Sequence, residues 1–254
     1  MIDLKKLRGI GRTKGIQNLG QIEKDYFQEL ILLSVSRNNE AGLVFKGGTC
    51  IYKLFSLDRF SEDLDFDGMP DRAFRSRVVS FLGKYGYNSR ITTTNDFGES
   101  LSLKILINGP LYSGKNESRC RIVMDFSDRE KIVIDPSLIT FYSLYDDIPP
   151  FPILSMDANE ILAEKIRSLI QRKKARDLYD INFLLKKGVK TSLNTVNTKL
   201  ELNGDSYTEE KFREGMLAAR KNWEQELSAF VRYLQPVDNI ELFVLNTIRD
   251  MLQK

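Results

Sequence analysis

At 254 residues, with 42% hydrophobic and 29% charged residues, the chain can bury a sizeable core as one large or two modest domains of a soluble globular protein. It contains no histidine, which excludes Ser-His-Asp, Cys-His and His-metal chemistry and leaves acid–base work to Asp, Glu, Lys or metal-bound water. The net charge is only +3, no apolar run reaches the length of a membrane span, and Cys50 and Cys120 sit apart within apolar patterns, as buried free thiols of a reducing cytoplasm do.

The N-terminal stretch carries Lys5, Lys6, Arg8, Arg12 and Lys14 without the apolar core of a secretory signal; it is expected to be a disordered basic arm, with RNA contact as its alternative use. A helix is expected over residues 17–37. The run Leu43-Val44-Phe45 reads as a short strand that stops at Lys46-Gly47-Gly48, and Thr49 opens a helical pattern through Ile51, Leu54 and Phe55. A glycine pair at a strand-to-helix turn lets backbone approach a ligand, and the N–H groups of the helix start point at an anion, so a triphosphate fits there.

Next comes Arg59-Phe60-Ser61-Glu62-Asp63-Leu64-Asp65-Phe66, in which Asp63, Asp65 and Asp67 alternate with Leu64 and Phe66 and so share one face of a strand. Asp63 and Asp65 then have Cα atoms about 7 Å apart, at roughly 3.3 Å per residue. That is bridging reach for one or two Mg²⁺ ions, which favour a few carboxylates completed by substrate phosphates. Taken alone, each half has a plain structural reading, a tight turn or an edge strand with a solvated face. Their order and spacing together point to nucleotidyl transfer, with Lys46 and Arg59 joining the site if they turn toward phosphate.

A helix is expected over residues 71–85 and strands over 101–107, 119–125 and 131–134. In Arg119-Cys120-Arg121-Ile122-Val123-Met124-Asp125-Phe126, alternation sets Asp125 opposite Met124 and Phe126, making it a candidate metal ligand or base; Asp128 and Asp135 are weaker candidates, since Asp135-Pro136 reads as a turn. Pro149-Pro150-Phe151-Pro152 marks a boundary between residues 1–150 and 151–254. Beyond it the pattern is helical, with breaks near Gly188 and Asn203-Gly204-Asp205, and Tyr207, Trp223 and Phe230 read as bundle core. One helix has Asp157 or Asn159 near its start and Ile161, Leu162, Leu169 and Ile170 on its apolar face; Leu178, Ile181 and Leu185 mark the next. Residues 165–176 hold six basic residues and no acid, and residues 157–190 hold nine Lys or Arg against five Asp or Glu, a local excess of four that can attract a polyanion.

Lys46-Gly47-Gly48-Thr49 followed by Arg59-Phe60-Ser61-Glu62-Asp63-Leu64-Asp65-Phe66 resembles the first motif of the AbiEii-type nucleotidyltransferases, a branch of the polymerase-β-like superfamily that includes MenT-type toxins of toxin–antitoxin and abortive-infection systems. The resemblance runs over residues 20–190. It implies an α+β fold, a polymerase-β-like nucleotidyltransferase core with an N-terminal helix and a C-terminal helical bundle that supplies later active-site motifs. Superfamily members carry a third carboxylate on a later strand, which here falls on Asp125. The Glu164-Lys165 pair and Arg176-Asp177-Leu178-Tyr179-Asp180 match the later motifs, so the resemblance implies that Lys165 contacts the triphosphate and Asp177 is needed for activity, with Arg176 and Asp180 as neighbours that position them. Where the family wording has a glycine before Ala-Arg-Asp, this chain has Lys173-Lys174, which leaves the backbone of that turn open.

The assignment that follows is a metal-dependent nucleotidyltransferase using Mg²⁺ or Mn²⁺, held by Asp63, Asp65 and Asp125. Lys46, Gly47, Gly48, Thr49, Arg59, Ser61 and Lys165 bind the nucleotide, and Asp63, Asp65, Asp125, Lys165 and Asp177 are catalytic. By resemblance the acceptor is RNA, at the 3′ end of tRNA, over a surface of Arg167, Arg172, Lys173, Lys174 and Arg176; the result is arrested translation, and a cognate antitoxin is a candidate partner. The alternatives are an enzyme of the same fold that modifies a protein or small molecule, and a non-catalytic nucleotide- or RNA-binding module.

Overall fold

The computed structural model describes residues 1–38 and 42–252. They form an α+β protein with ten α-helices and one seven-stranded mixed sheet among the described residues, and the chain divides into two compact units. No described helix is long and apolar enough to cross a membrane.

The first unit comprises Met1–Phe55, Phe60–Asp128 and Ser137–Ser155. Its helices are α1 (Leu4–Thr13), α2 (Leu19–Arg37), α3 (Gly47–Phe55) and α4 (Phe74–Lys84). Its strands are β1 (Val44–Lys46), β2 (Leu64–Asp67), β3 (Ser89–Asp96), β4 (Ser100–Ile107), β5 (Cys120–Ser127), β6 (Ser137–Phe141) and β7 (Phe151–Ser155), in the order β3-β4-β5-β2-β1-β7-β6. The β2–β5 and β1–β7 pairs are parallel and the others antiparallel. Register follows from alternation: one face carries Phe45, Leu64, Phe66, Met124 and Phe126, all buried, and the other carries Lys46, Asp65, Asp67 and Asp125. The apolar face is built from aromatic rings, with Phe66 stacked on Phe126 at 5.5 Å and Phe74 of α4 edge-on to Phe126 at 5.4 Å. Helix α2, capped by the Asn18 side chain on Gln21 N–H, is buried on nearly every side and packs on α1, α4, β5 and β7.

Two expectations are corrected here. The N-terminal arm is an ordered helix, α1, whose N-cap Asp3 accepts from Lys6 N–H at 2.8 Å and which buries Leu7 and Gly11. Lys14, just past it, is drawn into carboxylates of α2, so its charge is spent inside the unit. No strand forms over residues 131–134; the Val133 and Ile134 N–H groups donate instead to the Glu160 carboxylate at 3.0 and 2.7 Å. The proline-rich segment opens β7, where Pro152 pairs with Thr140 of β6; β7 meets β1 only at Ser155, so Pro152 faces no ladder on that side.

The second unit comprises Ser56–Arg59, Arg129–Pro136 and Met156–Lys254. It contains α5 (Ala158–Arg172), α6 (Ala175–Lys186), α7 (Leu193–Glu201), α8 (Glu209–Lys221), α9 (Trp223–Leu227) and α10 (Asp238–Leu252). Helix α5 starts on the Asp157 side-chain cap and stops at Lys173, whose φ of 55° is left-handed. Gly188 and Gly204, both at positive φ, follow α6 and α7 at the expected breaks. Trp223 is buried and donates to the Gln235 carbonyl, while Tyr207 and Phe230 are half-buried.

Candidate active site

In the first unit, β1 runs into α3 with no intervening loop, so the helix starts at Gly47, two residues before the expected Thr49. Gly47 makes the turn at φ 77°, and a Cβ there would press on the Asp65 carboxylate, 2.9 Å from its Cγ. Gly47, Gly48 and Thr49 thus supply the first-turn N–H groups of α3, which have no intrahelical acceptor and suit an anion.

Beside that turn, Asp65 of β2 is in register with Lys46 on one side and Asp125 on the other. Neighbouring strands lie about 4.8 Å apart, so the two half-buried carboxylates sit side by side on one face. Ser102 of β4, next in register, donates through Oγ to Asp125 Oδ1. Ser102 was not among the residues singled out, yet its signal was present, since Leu101 and Leu103 alternate around it as Met124 and Phe126 do around Asp125.

The remaining acids behave differently. Asp63 precedes β2, is exposed, and its carbonyl accepts from Thr49 Oγ1. Asp67 is buried and ion-paired at 2.5 Å with Lys46, which is itself buried and thereby engaged away from solvent. Among the described residues no group of three His, Cys, Asp or Glu stands ready to hold a metal ion. The donors fit a divalent cation held by the Asp65–Asp125 pair with water and phosphate completing the shell, the arrangement Mg²⁺ prefers.

The second unit gathers the other motif residues into one buried relay. Arg59 is bidentate to Asp180, with Nε at 3.0 Å and Nη2 at 2.9 Å. Lys165 of α5 stands 2.7 Å from Asp180 and 3.4 Å from Asp177, and Arg172 reaches Asp177 at 3.0 Å. Burial alone would lower the Lys165 pKa, but Asp180 and then Asp177 outweigh it and hold it above the usual lysine value. Burial likewise works to raise Asp180, and Arg59 and Lys165 overcome it, keeping the carboxyl below its ordinary range. Three cations on two carboxylates leave one positive charge in the relay. Asp58, one residue before Arg59, accepts from the Tyr179 hydroxyl at 2.8 Å, a second tie between that segment and α6.

Most of the basic surface beyond Lys165 is also paired: Arg167 with Glu130 at 2.7 Å, Lys173 with Glu214 at 3.5 Å and Lys174 with Glu226 at 3.4 Å. Arg176 is exposed with no ion-pair partner among the described residues. Ser61 is half-buried in the first unit, and its backbone carbonyl accepts from Gln28.

No curated protein matches the chain. Among solved structures it is similar to JHP933 from Helicobacter pylori, with a TM-score of 0.62 and 16% identity over 92% of each chain. It is also similar to MenT4, a nucleotidyltransferase toxin from Mycobacterium tuberculosis, with a TM-score of 0.65 and 20% identity over 99% of this chain and 88% of that one. Those likenesses establish the fold. The family model for the nucleotidyl transferase AbiEii toxin, Type IV TA system, covers residues 31–253, which takes in the glycine turn, the aspartate strands and the Lys165 relay, and the chain therefore belongs to the AbiEii nucleotidyl transferase toxin family.

Proposed function

We propose that this chain transfers a nucleotidyl group from an NTP to RNA, at the 3′ end of tRNA, and so blocks translation. The observation that carries the reading is the side-by-side placement of Asp65 and Asp125 against the Gly47 turn. The 3′-hydroxyl oxygen of the acceptor bonds to the α-phosphorus as the bond to the β-phosphate oxygen breaks in line, releasing pyrophosphate. Asp125 takes the hydroxyl proton, since Ser102 occupies Oδ1 and leaves Oδ2 for the acceptor. Gly47, Gly48 and Thr49 hold the β- and γ-phosphates through their N–H groups. Mg²⁺ or Mn²⁺ bound at Asp65 and Asp125 would neutralise phosphate charge. Lys165, which Asp180 and Asp177 keep protonated, is the cation assigned to offset charge on the leaving group.

The test is transfer from each labelled NTP to purified tRNA, with 3′-oxidised tRNA as control. Label on tRNA that disappears on oxidation is the expected result. Asp65→Asn keeps side-chain volume and removes charge, so activity should fall at least about a hundredfold, the loss of several kcal/mol of charge stabilisation, with thermal unfolding unchanged. Full activity in folded Asp65→Asn protein would remove the assignment.

One observation favours a second reading, in which the same chemistry modifies a protein or small molecule: five of the six cations over residues 165–176 already have carboxylate partners. Incubating labelled NTPs with total cell extract separates the two by the fraction that takes label.

A further inference from the structure

The segment that delivers Asp63 and Asp65 is held by side chains rather than by a backbone ladder. Residues 61–63 have no helix or strand hydrogen bonding of their own. Their three successive carbonyls are nevertheless each taken: Gln28 Nε2 donates to Ser61 O and to Glu62 O, both at 2.8 Å, and Thr49 Oγ1 donates to Asp63 O. Gln28 lies on α2 and is fully buried, and Lys24, one turn earlier on the same helix, pairs with the Glu62 carboxylate at 2.6 Å. Gln28 Oε1 is buried with no hydrogen-bond partner among the described residues. A buried amide oxygen left unsatisfied is costly, so the orientation of this side chain is dictated by its NH₂ group. Turning the amide over would set its oxygen against two carbonyl oxygens. Only a neutral donor with two hydrogens of this reach fills the position.

We infer that Gln28 is a positioning residue for the catalytic acid Asp65: it fixes the backbone of residues 61–62, and through it the approach of Asp65 to the Gly47 turn and to Asp125. The inference rests on the nucleotidyl-transfer reading for its kinetic consequence, though the clamp itself is defined by geometry. Gln28 touches neither phosphate nor metal in this role, so its loss acts on the rate and spares NTP binding at the first turn of α3.

The experiment compares wild type, Gln28→Leu and Gln28→Glu in the full chain. Backbone hydrogen exchange over residues 61–66 should accelerate in Gln28→Leu while exchange in α2 and β5 stays put. A misplaced acid pair should lower kcat by about tenfold to a hundredfold, with the KM for NTP within about twofold of wild type. Gln28→Glu keeps the shape and makes a sharper test, because a buried carboxyl facing carbonyls stays neutral to higher pH and donates one hydrogen bond only when protonated. Its activity relative to wild type should therefore rise as pH falls. Wild-type kcat in both variants with unchanged exchange over residues 61–66 would overturn the inference, as would exchange that rises uniformly across the first unit. If wild type transfers no nucleotide to any acceptor, the reaction reading fails on its own, while the exchange pattern still decides whether the clamp exists.

Discussion

Lys173 shows how a single backbone angle can carry a family departure. Helix α5 must reverse into α6 within two residues, and it does so with Lys173 at φ 55°, a conformation that crowds any side chain with a Cβ. Glycine would remove that crowding, which is a physical reason for the glycine expected at this turn from the family resemblance. The lysine retains only a long, exposed contact to Glu214, worth little to stability. Lys173→Gly should therefore stabilise the protein by about 1 kcal/mol, the relief of one left-handed residue less the entropy of glycine, read as a raised urea midpoint at constant m-value. An unchanged or lowered midpoint would mean the turn is not strained. Gly47 is the opposite case, since it needs glycine for its φ and again for the room that Asp65 occupies.

Among the elements, α2 and α3 are joined by charge where apolar contact would ordinarily serve. Asp25 and Glu29, one turn apart on α2 and fully buried, are met by Lys53 of α3 at 2.5 and 2.9 Å and by Lys14. Tyr52 and Tyr145 hydroxyls donate to Asp25, both at 2.8 Å, and Ser143 to Glu29. Burial works to raise Asp25, but Lys53 and Lys14 overcome it and hold the carboxyl well below its usual range. Removing one partner strands a buried carboxylate, so Lys53→Met should lower unfolding free energy by about 3–5 kcal/mol in urea titrations. A loss under about 1 kcal/mol would show that Lys14 and the hydroxyls suffice without it. Nothing in the sequence revealed this cluster, because two acids one helical turn apart read as a solvated face, and the lysines that meet them lie on other segments. What was legible were elements with one wet and one dry face: β2, β4 and β5 alternate, and Asp65, Asp67 and Asp125 of β2 and β5 fall on a common face as the alternation requires. Edge strands β3 and β6 are largely exposed on both faces and leave no such period, and β7 is masked by Pro152 and the two prolines just before it. The glycine turn was legible because strand end, glycine and helix start follow one another without a gap.

For the whole molecule, the proposed RNA acceptor requires a chain of net charge +3 to engage a polyanion. The basic excess of residues 157–190 is local, and the ion pairs of Lys173 with Glu214 and Lys174 with Glu226, acids outside that stretch, offset it further. The Lys173 and Lys174 pairs are at the surface, with the cation side chains 45% and 52% exposed, so each is weak and a phosphate can replace the carboxylate at little cost. RNA bound here should release counterions, and its affinity should fall steeply with salt. Replacing Arg172, Lys173 and Lys174 together should flatten the log–log slope by about two to three units, at roughly 0.7 to 0.9 per phosphate contact. The competing carboxylates give the same idea an opposite arm: Glu214→Gln with Glu226→Gln frees Lys173 and Lys174, so tRNA should bind more tightly at low salt and converge on wild type as salt rises. Filter binding of tRNA across a salt series reads both. A triple variant with the wild-type slope, or a double variant with unchanged affinity at low salt, would place the acceptor on another surface and shift the weight toward a protein or small-molecule substrate.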